Sequence, residues 1–232
     1  MYTFGAERLG GRVMFEGKPI IGIAGGIASG KSFIASLFAE LGCVVISSDE
    51  LVRQAYRDES VKHQLKQWWG KMVFEPNGEI DRSAVARKIF NYPSEKKRLE
   101  KLLHPIVAQT RERIMRQAAE DSAVKAFVWD TPLLFETGLN TRCDAVIFVD
   151  APLEVRSSRA AENRGWDRET LLQRENLQLP LDKKRRLADY VVANTADADH
   201  ARDQVREVLS RILDGSVSRP AAGSAGEARP GA

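Results

Sequence analysis

One glycine-rich segment constrains what this chain can fold into more than any other feature. Residues 25–32 read Gly-Gly-Ile-Ala-Ser-Gly-Lys-Ser and fit G-x-x-x-x-G-K-[ST], the phosphate-binding loop. In that loop the backbone N–H groups surround phosphates, the Lys reaches the β- and γ-phosphates, and the Ser hydroxyl ligates Mg²⁺. The predicted nucleotide-binding residues are Gly25, Gly26, Ile27, Ala28, Ser29, Gly30, Lys31, Ser32 and Phe33.

The residues on either side of the loop supply the context that its mechanism needs. Residues 19–24 read as a short buried strand that runs into the loop, and apolar residues then recur at helical spacing from Phe33 to Leu41. The N-terminus of that helix adds its dipole to the phosphate site. A glycine-rich turn that binds nothing would not need this order of strand, loop and helix. The chain is therefore expected to bind a nucleoside triphosphate.

The overall composition fits one α/β domain with inserts. The 232 residues are 43% apolar and 29% charged, and the formal net charge is +3. That charge is too small to indicate a nucleic-acid partner, and no apolar run approaches the roughly 20 residues of a membrane helix. Cys43 and Cys143 have no metal-binding or C-x-x-C spacing. We therefore expect a cytoplasmic protein with reduced thiols, which binds neither nucleic acid nor membrane.

Short apolar segments alternate with helical ones, which indicates a parallel sheet with helices on both faces. Five strands are predicted, at residues 19–24, 43–46, 124–129, 145–149 and 190–193. The fold class is thus α/β, a three-layer, doubly wound, five-stranded parallel sheet. The expected parts are a loose N-terminal extension at 1–18, a nucleotide-binding core at 19–50, 124–155 and 188–213, a helical insert at 51–123, a basic helical segment at 156–187 and a disordered tail at 214–232.

Three local interpretations concern the polar helical segments. Pro105 interrupts an apolar stripe and is predicted to open a new helix at its first position. Trp68 and Trp69 could stack on a substrate base, although packing within the insert is the simpler interpretation. The basic run at 183–186 is interpreted as a solvated helix end, because such runs are usually surface faces.

Acidic side chains follow three of the predicted strands. Ligands of such sheets bind outside the carboxyl ends of the strands, and that edge collects the loop with Asp49, Asp130 and Asp150. A carboxylate that faces the γ-phosphate can accept a proton from an acceptor hydroxyl, and a second can hold Mg²⁺ through water. Asp49 suits the first role and Asp130 the second. For each of them, a helix N-cap after the strand is the alternative.

Five separated motifs occur in the order that one known family shows. They are GGIASGKS at 25–32, VISSDELVR at 45–53, LLHPIV at 102–107, WDTPLLFE at 129–136 and ADYVVAN at 188–194. Any one of them is modest, but five in order are specific. From Ile20 to Leu213 the chain resembles the dephospho-CoA kinase family, P-loop kinases that catalyse the last step of coenzyme A synthesis.

The resemblance implies an activity and the residues that carry it. ATP with Mg²⁺ would lie in the loop, and the ribose 3′-hydroxyl of dephospho-CoA would attack the γ-phosphate. The insert at 51–123 would bind the CoA moiety, and the segment at 156–187 would close as a lid. The implied catalytic residues are Asp49 as base, Lys31 and Arg164; Arg159 and Asn194 would contact the nucleotide, and Ser32 and Asp130 the metal. The enzyme is expected to be a monomer or a weak homo-oligomer.

The chain departs from the family pattern at four places. Ser47 replaces the first acid of a D-x-D pair, and Ala28 replaces a Gly of the loop. Ala196 stands where a Gly is usual, and Arg159 and Arg164 are five residues apart where four is usual.

Two other kinds of nucleotide-binding protein stay open on the residues alone. A nucleoside or nucleotide kinase would share the sheet, the loop and the lid, and would differ mainly in the insert. A GTPase would need an N-K-x-D guanine motif, and the nearest candidate, residues 194–197, lacks the Lys.

Overall fold

The structure, a computed structural model, describes residues 6–9, 12–195 and 197–215. These residues contain two sheets and nine α-helices. The strands are β1 (Ala6–Leu9), β2 (Arg12–Phe15), β3 (Ile20–Gly25), β4 (Val44–Ser47), β5 (Phe127–Asp130), β6 (Ala145–Asp150) and β7 (Tyr190–Ala193). The helices are α1 (Lys31–Glu40), α2 (Ser48–Ala55), α3 (Glu59–Trp69), α4 (Arg82–Asn91), α5 (Pro93–Ala119), α6 (Leu153–Arg164), α7 (Arg168–Glu175), α8 (Leu181–Leu187) and α9 (Ala198–Leu213).

The larger sheet confirms the predicted fold class. Its five strands are parallel and lie in the order β4-β5-β3-β6-β7, so the strand that precedes the phosphate loop is the central one. β4 is parallel to β3 as expected, but β5 lies between them. Ser47, Asp130 and Asp150 are the last residues of their strands. Three polar side chains therefore end at the sheet edge where the loop begins.

Alternate side chains of β3 face two separate hydrophobic clusters. Ile20 belongs to a cluster that also holds residues of α2, α3, α4 and α5, such as Leu51 and Leu65. Ile21 and Ile23 belong to a second cluster, with residues of α1 and α9. The sheet thus lies between two helical layers, as predicted. The insert helices pack on the same cluster as the sheet and have no core of their own.

Helix α5 is continuous where the sequence predicts a break. Pro105 lies inside this helix and does not start a new one, so that prediction was wrong. Leu99, Leu103 and Val107, on both sides of the proline, are buried in the same cluster. Their packing outweighs the roughly 3 kcal/mol that an interior proline costs a helix.

Two short strands, at residues 6–9 and 12–15, lie within the segment at 1–18 that the sequence predicts to be a loose extension. Strands β1 and β2 pair as an antiparallel hairpin. Phe15 is fully buried, and its ring lies edge-on to that of Phe127 with centroids 5.8 Å apart. Burial of this aromatic ring fastens the end of the hairpin to the sheet, so the prediction was wrong for these residues.

The predicted tail at 214–232 lies outside the described residues, apart from Asp214 and Gly215 at the end of α9. Among the described residues, no helix combines the length and the apolar character that crossing a membrane requires.

Replacing Pro105 by Ala tests whether the proline strains α5. The substitution restores an N–H that can donate to the carbonyl one turn earlier, so we expect the free energy of unfolding to rise by about 1–3 kcal/mol. Chemical denaturation measures this value. The control is Gln109→Ala, at an exposed position of the same helix, which should change it by less than about 0.5 kcal/mol. A loss of stability in Pro105→Ala would mean that the packing around α5 requires the proline.

Candidate active site

Two glycines let the backbone of the phosphate loop approach its neighbours closely. Gly25 and Gly30 have φ values of 155° and 89°, which favour glycine. A Cβ at Gly25 would lie 2.8 Å from the main-chain oxygen of Val149, and one at Gly30 would overlap the side-chain amide of Asn194. The loop backbone therefore packs closely against β6 and the segment after β7. Helix α1 begins at Lys31, and its N-terminus favours anions.

The Lys31 side chain folds back over the loop. Its Nζ donates to the main-chain oxygens of Gly26 at 2.8 Å and Gly25 at 3.3 Å. Burial lowers the pKa of Lys31 from 10.5 to about 8, against the raising effect of Asp130. The nearby cations Lys184 and Arg164 lower this pKa further. The ammonium group thus lies where negative phosphate oxygens would stabilise it.

Ser32 and Asp130, the two residues predicted to hold a metal, lie in contact with each other. Ser32 Oγ donates to Asp130 Oδ2 at 2.7 Å, and Asp130 is only 7% exposed. Asp130 ends β5 and a turn follows it, so it has no helix to cap. Two hard oxygen atoms next to the phosphate position suit Mg²⁺, which binds one or two protein oxygens and completes its shell with phosphate and water.

Asp49 lies in the first turn of α2 and is not the helix cap. The N-cap is Ser47, whose hydroxyl accepts the Glu50 N–H at 3.4 Å. Glu50 itself accepts a hydrogen bond from Arg53 at 2.6 Å. Among the described residues, Asp49 has no hydrogen-bond or ion-pair partner, and its charge acts on Lys31 across the cleft. Ser47, which replaces the first acid of the family's D-x-D pair, thus caps α2 and leaves Asp49 free.

These residues line one cleft of about 640 Å³. Its walls come from the loop, the ends of β4 and β5, the insert and the segment at 156–187. The polar and aromatic lining includes Lys31, Ser32, Ser47, Asp49, Arg53, Lys96, Asp130, Arg164, Trp166, Arg174 and Gln178. The guanidinium groups of Arg164 and Arg174 lie 5.0 Å and 4.2 Å from the ring centroid of Trp166. The cleft therefore brings two carboxylates and several cations to one place.

Arg159 and Asn194 lie at a second, smaller cleft of about 370 Å³ that shares Gly30 and Phe33 with the first. Arg159 donates to the main-chain oxygens of Ser29, Asn194 and Thr195, at 3.3, 3.2 and 2.7 Å. The Asn194 amide also donates to Ser29 O, at 2.8 Å.

Arg159 and Arg164 project in different directions from α6. Five residues along an α-helix rotate by about 500°, so the two side chains point about 140° apart. The spacing that departs from the family thus sends one arginine to each cleft.

Lys184 corrects the interpretation of the basic run at 183–186 as a solvated helix end. Its side chain is 1% exposed, pairs with Glu136 at 2.9 Å and donates to Gln178 at 2.9 Å. Burial alone would raise the pKa of Glu136, but hydrogen bonds from Lys184 and the Leu179 N–H hold it below its usual value. Only the tertiary fold turns this one lysine of the run inward. Sequence reasoning missed it as part of the site.

The two insert tryptophans pack within the insert, as the simpler interpretation expected. Arg98 lies over the Trp68 ring at 4.0 Å, and Trp69 Nε1 donates to Glu95 at 2.6 Å. The tryptophan that lines the cleft is Trp166, which carries no signal in the sequence beyond its place between two arginines.

Comparisons with known proteins identify the family of the chain. A sequence profile described as dephospho-CoA kinase matches residues 19–200. The dephospho-CoA kinase of Syntrophotalea carbinolica is 36% identical over 210 residues, which cover 89% of this chain and 99% of that protein. That of Geobacillus kaustophilus is 35% identical over 192 residues, which cover 82% and 95%. The chain belongs to the dephospho-CoA kinase family.

Solved structures agree with the dephospho-CoA kinase assignment. A crystal structure from Thermus thermophilus matches with a TM-score of 0.72 and 34% identity, over 84% of this chain and 97% of that one. The dephospho-CoA kinase from Campylobacter jejuni matches with a TM-score of 0.62 and 25% identity, over 86% and 99%. The chain is thus an ATP-dependent kinase with the P-loop kinase fold.

Ala28 and Ala196 are two further departures from the dephospho-CoA kinase pattern. Ala28, in place of the usual loop Gly, has a φ of 60°, a left-handed conformation that costs a non-glycine residue about 1–2 kcal/mol. The surroundings of the loop must therefore hold it in place. Ala196 lies outside the described residues.

The pKa of Lys31 predicts how nucleotide affinity depends on pH. In the empty protein Lys31 loses its proton as the pH rises through about 8, whereas bound phosphates favour the charged form. Binding then takes up a proton, so affinity for a non-hydrolysable ATP analogue should be about tenfold weaker at pH 9 than at pH 7. Calorimetry in buffers of different ionisation enthalpy measures both quantities.

The control for this titration is Lys31→Arg, because a guanidinium stays charged over the whole range. Its affinity should change little with pH, whatever its absolute value. A wild-type affinity that is equally flat, without proton uptake, would contradict the titration of Lys31.

Proposed function

We propose that this chain transfers the γ-phosphoryl group of ATP to the ribose 3′-hydroxyl of dephospho-CoA, giving coenzyme A and ADP. One observation carries the proposal: an unpartnered carboxylate, Asp49, faces Lys31 and Ser32 of the phosphate loop across a single cleft. Phosphoryl transfer requires an in-line acceptor hydroxyl and cations around the transferred group, and little covalent chemistry from the protein. Family membership supports dephospho-CoA as the acceptor.

Asp49 is proposed as the general base. A carboxylate within hydrogen-bond reach of the 3′-hydroxyl accepts its proton as the oxygen attacks. The position of Asp49 at the start of α2 suits this role, because Ser47 already caps the helix and Glu50 is engaged by Arg53. Asp49 is therefore the one carboxylate of this turn that is free to orient a substrate.

The cations of the cleft are proposed to stabilise the negative charge of the transferred group. Lys31 reaches the phosphates from the loop, and Arg164 approaches from the opposite wall beside Trp166. Positively charged groups that are fixed before the reaction are worth more in a water-poor cleft than in solution. Lys31, Arg164 and Asp49 are accordingly the proposed catalytic residues.

Mg²⁺ is proposed to bind at Ser32 and Asp130, since their oxygens fit it. When bound with ATP, it would neutralise phosphate charge. In the protein alone, Asp130 orients the Ser32 hydroxyl and lies close enough to Lys31 to act on its charge. These two contacts keep both side chains at the edge of the loop.

The insert and the lid are proposed to close the two sides of the cleft. Arg53 of α2 and Lys96 of α5 line it from the insert at 51–123, and both suit the diphosphate of dephospho-CoA. The lid at 156–187 contributes Arg164 and Arg174. Three of its other basic side chains are held by contacts outside the cleft: Arg156 by Glu175 and Ile27, Arg159 by the loop, and Lys184 by Glu136.

We further propose a cytoplasmic enzyme that is a monomer or a weak homo-oligomer and has neither nucleic acid nor membrane as a partner. Both cysteines, Cys43 and Cys143, are free and buried, which suits a reducing compartment.

The test of the activity is direct. Incubation with ATP, Mg²⁺ and dephospho-CoA should yield coenzyme A and ADP in equal amounts, resolved by liquid chromatography. Parallel incubations with nucleosides and nucleoside monophosphates address the rival class of kinase. Phosphorylation of one of these, with dephospho-CoA left unchanged, would overturn the proposed acceptor.

Asp49→Asn should lower kcat by about 10²–10⁴-fold, the usual span for a positioned general base. Its affinity for ATP should change little, because the side chain does not contact the loop. The matched control is Gln54→Ala, at an exposed position of the same helix, which should keep kcat within about threefold. Steady-state kinetics measures kcat. An undiminished kcat in Asp49→Asn would contradict the role of Asp49 as the general base.

Arg164→Ala and Arg159→Ala should change different kinetic constants. Arg164 faces the cleft, so its loss should reduce kcat and kcat/KM together. Arg159 holds three main-chain oxygens around the smaller cleft, so its loss should chiefly raise the KM for ATP. Arg168→Ala, at an exposed position of the same segment, is the control. The reverse pattern would mean that the arginine roles are exchanged.

A further inference from the structure

A buried ion pair joins the lid to the phosphate loop. Arg156 Nη1 lies 2.6 Å from Glu175 Oε1, and the two side chains are only 6% and 12% exposed. The same glutamate oxygen accepts the Ile27 N–H at 3.3 Å. The same arginine nitrogen donates to Ile27 O at 3.4 Å. One ion pair therefore binds both hydrogen-bonding groups of the Ile27 main chain.

The pair is itself fixed from two sides. Arg156 Nε donates to the main-chain oxygen of Ala151 at 3.2 Å, just beyond β6. On the other side it packs against Gly26, where a Cβ would lie 2.8 Å from Arg156 Nη1 and 2.9 Å from Glu175 Oε1. A guanidinium with these partners has little freedom, so the Ile27 peptide groups are held rigidly.

Ile27, which the ion pair holds, immediately precedes Ala28, whose backbone is strained. Ala28 has a φ of 60°, and such a conformation persists only where the surroundings determine it. A loop that is fixed before the ligand arrives loses less conformational entropy on binding and binds more tightly. The hydrogen bonds that hold Ile27 therefore stabilise the loop next to its strained residue.

The same pair also sets the position of the lid. Glu175 directly follows Arg174 on α7, and Arg174 lines the cleft beside Trp166. We propose that Arg156 and Glu175 are positioning residues that pre-arrange the phosphate loop for nucleotide and couple its geometry to the placement of Arg174. This inference rests on the proposed binding of ATP to the loop, and not on which acceptor is used.

The experiment compares nucleotide and acceptor binding in the same variants. In Glu175→Gln and in Arg156→Gln we expect the Kd for ADP to rise about tenfold, because each leaves a buried charge unpaired and loosens the loop. The Kd for dephospho-CoA alone should stay within twofold. Isothermal calorimetry measures both, and kcat/KM for ATP should fall with the ADP affinity.

The double variant Arg156→Gln with Glu175→Gln supplies the rescue. Two neutral amides can still accept the Ile27 N–H and donate to its carbonyl, so the Kd for ADP should recover to within about threefold of the wild type. Glu169→Gln, an exposed position of the same helix, is the control and should change neither Kd. If a single variant does not fold, Glu175→Asp, which draws the carboxylate back by one methylene, carries the same expectation.

Two results would overturn the inference. One is an ADP affinity within twofold of the wild type in the single variants while their melting temperature falls, which would make the pair a stabilising contact only. The other is an equal loss of affinity for ADP and for dephospho-CoA, which would indicate a general disturbance. A wild type that binds ADP but forms no coenzyme A would reject the proposed acceptor and leave the ADP comparison to decide this inference.

Discussion

The burial of Lys31 beside other cations, at the carboxyl end of β3, is the constraint on which the rest of the site depends. Burial is the main cause that lowers the pKa of Lys31, and repulsion from the charges of Lys184 and Arg164 lowers it further. Fixed carboxylates offset part of this repulsion: Asp130 acts on Lys31, and Glu136 pairs with Lys184. A triphosphate brings the missing negative charge to this position. The unfavourable electrostatics of the empty site thereby become a driving force for nucleotide binding.

Different kinds of interaction hold the two sides of the cleft in place. The insert shares one hydrophobic cluster with the sheet, so Asp49 and Arg53 rest on a wall that cannot shift without exposing apolar surface. The lid is held by ion pairs and by hydrogen bonds to main-chain oxygens. The acceptor side is therefore held by apolar packing, and the arginine side by buried ion pairs and polar contacts.

Local signals predicted the strands, the loop and the acids, because each depends on a few adjacent residues. Pro105 was misread because the packing of Leu103 and Val107 into a distant core outweighs a local propensity. Lys184 was missed because its neighbours in the sequence are exposed and only the turn of α8 against β3 sets it apart. Contacts across more than a hundred residues, such as that between Ile27 and Glu175, leave no pattern in a single sequence.

The two native thiols have a practical consequence. Burial raises the pKa of Cys43 to about 11 and that of Cys143 further still, and the thiolate is the form that reacts. At neutral pH both sulfurs are protonated and shielded, so the folded protein should resist alkylating reagents and oxidants. One cysteine placed at an exposed position of the segment at 156–187 and another on the insert could then carry a pair of labels while both native thiols stay in place, and the distance between the two labels could be followed.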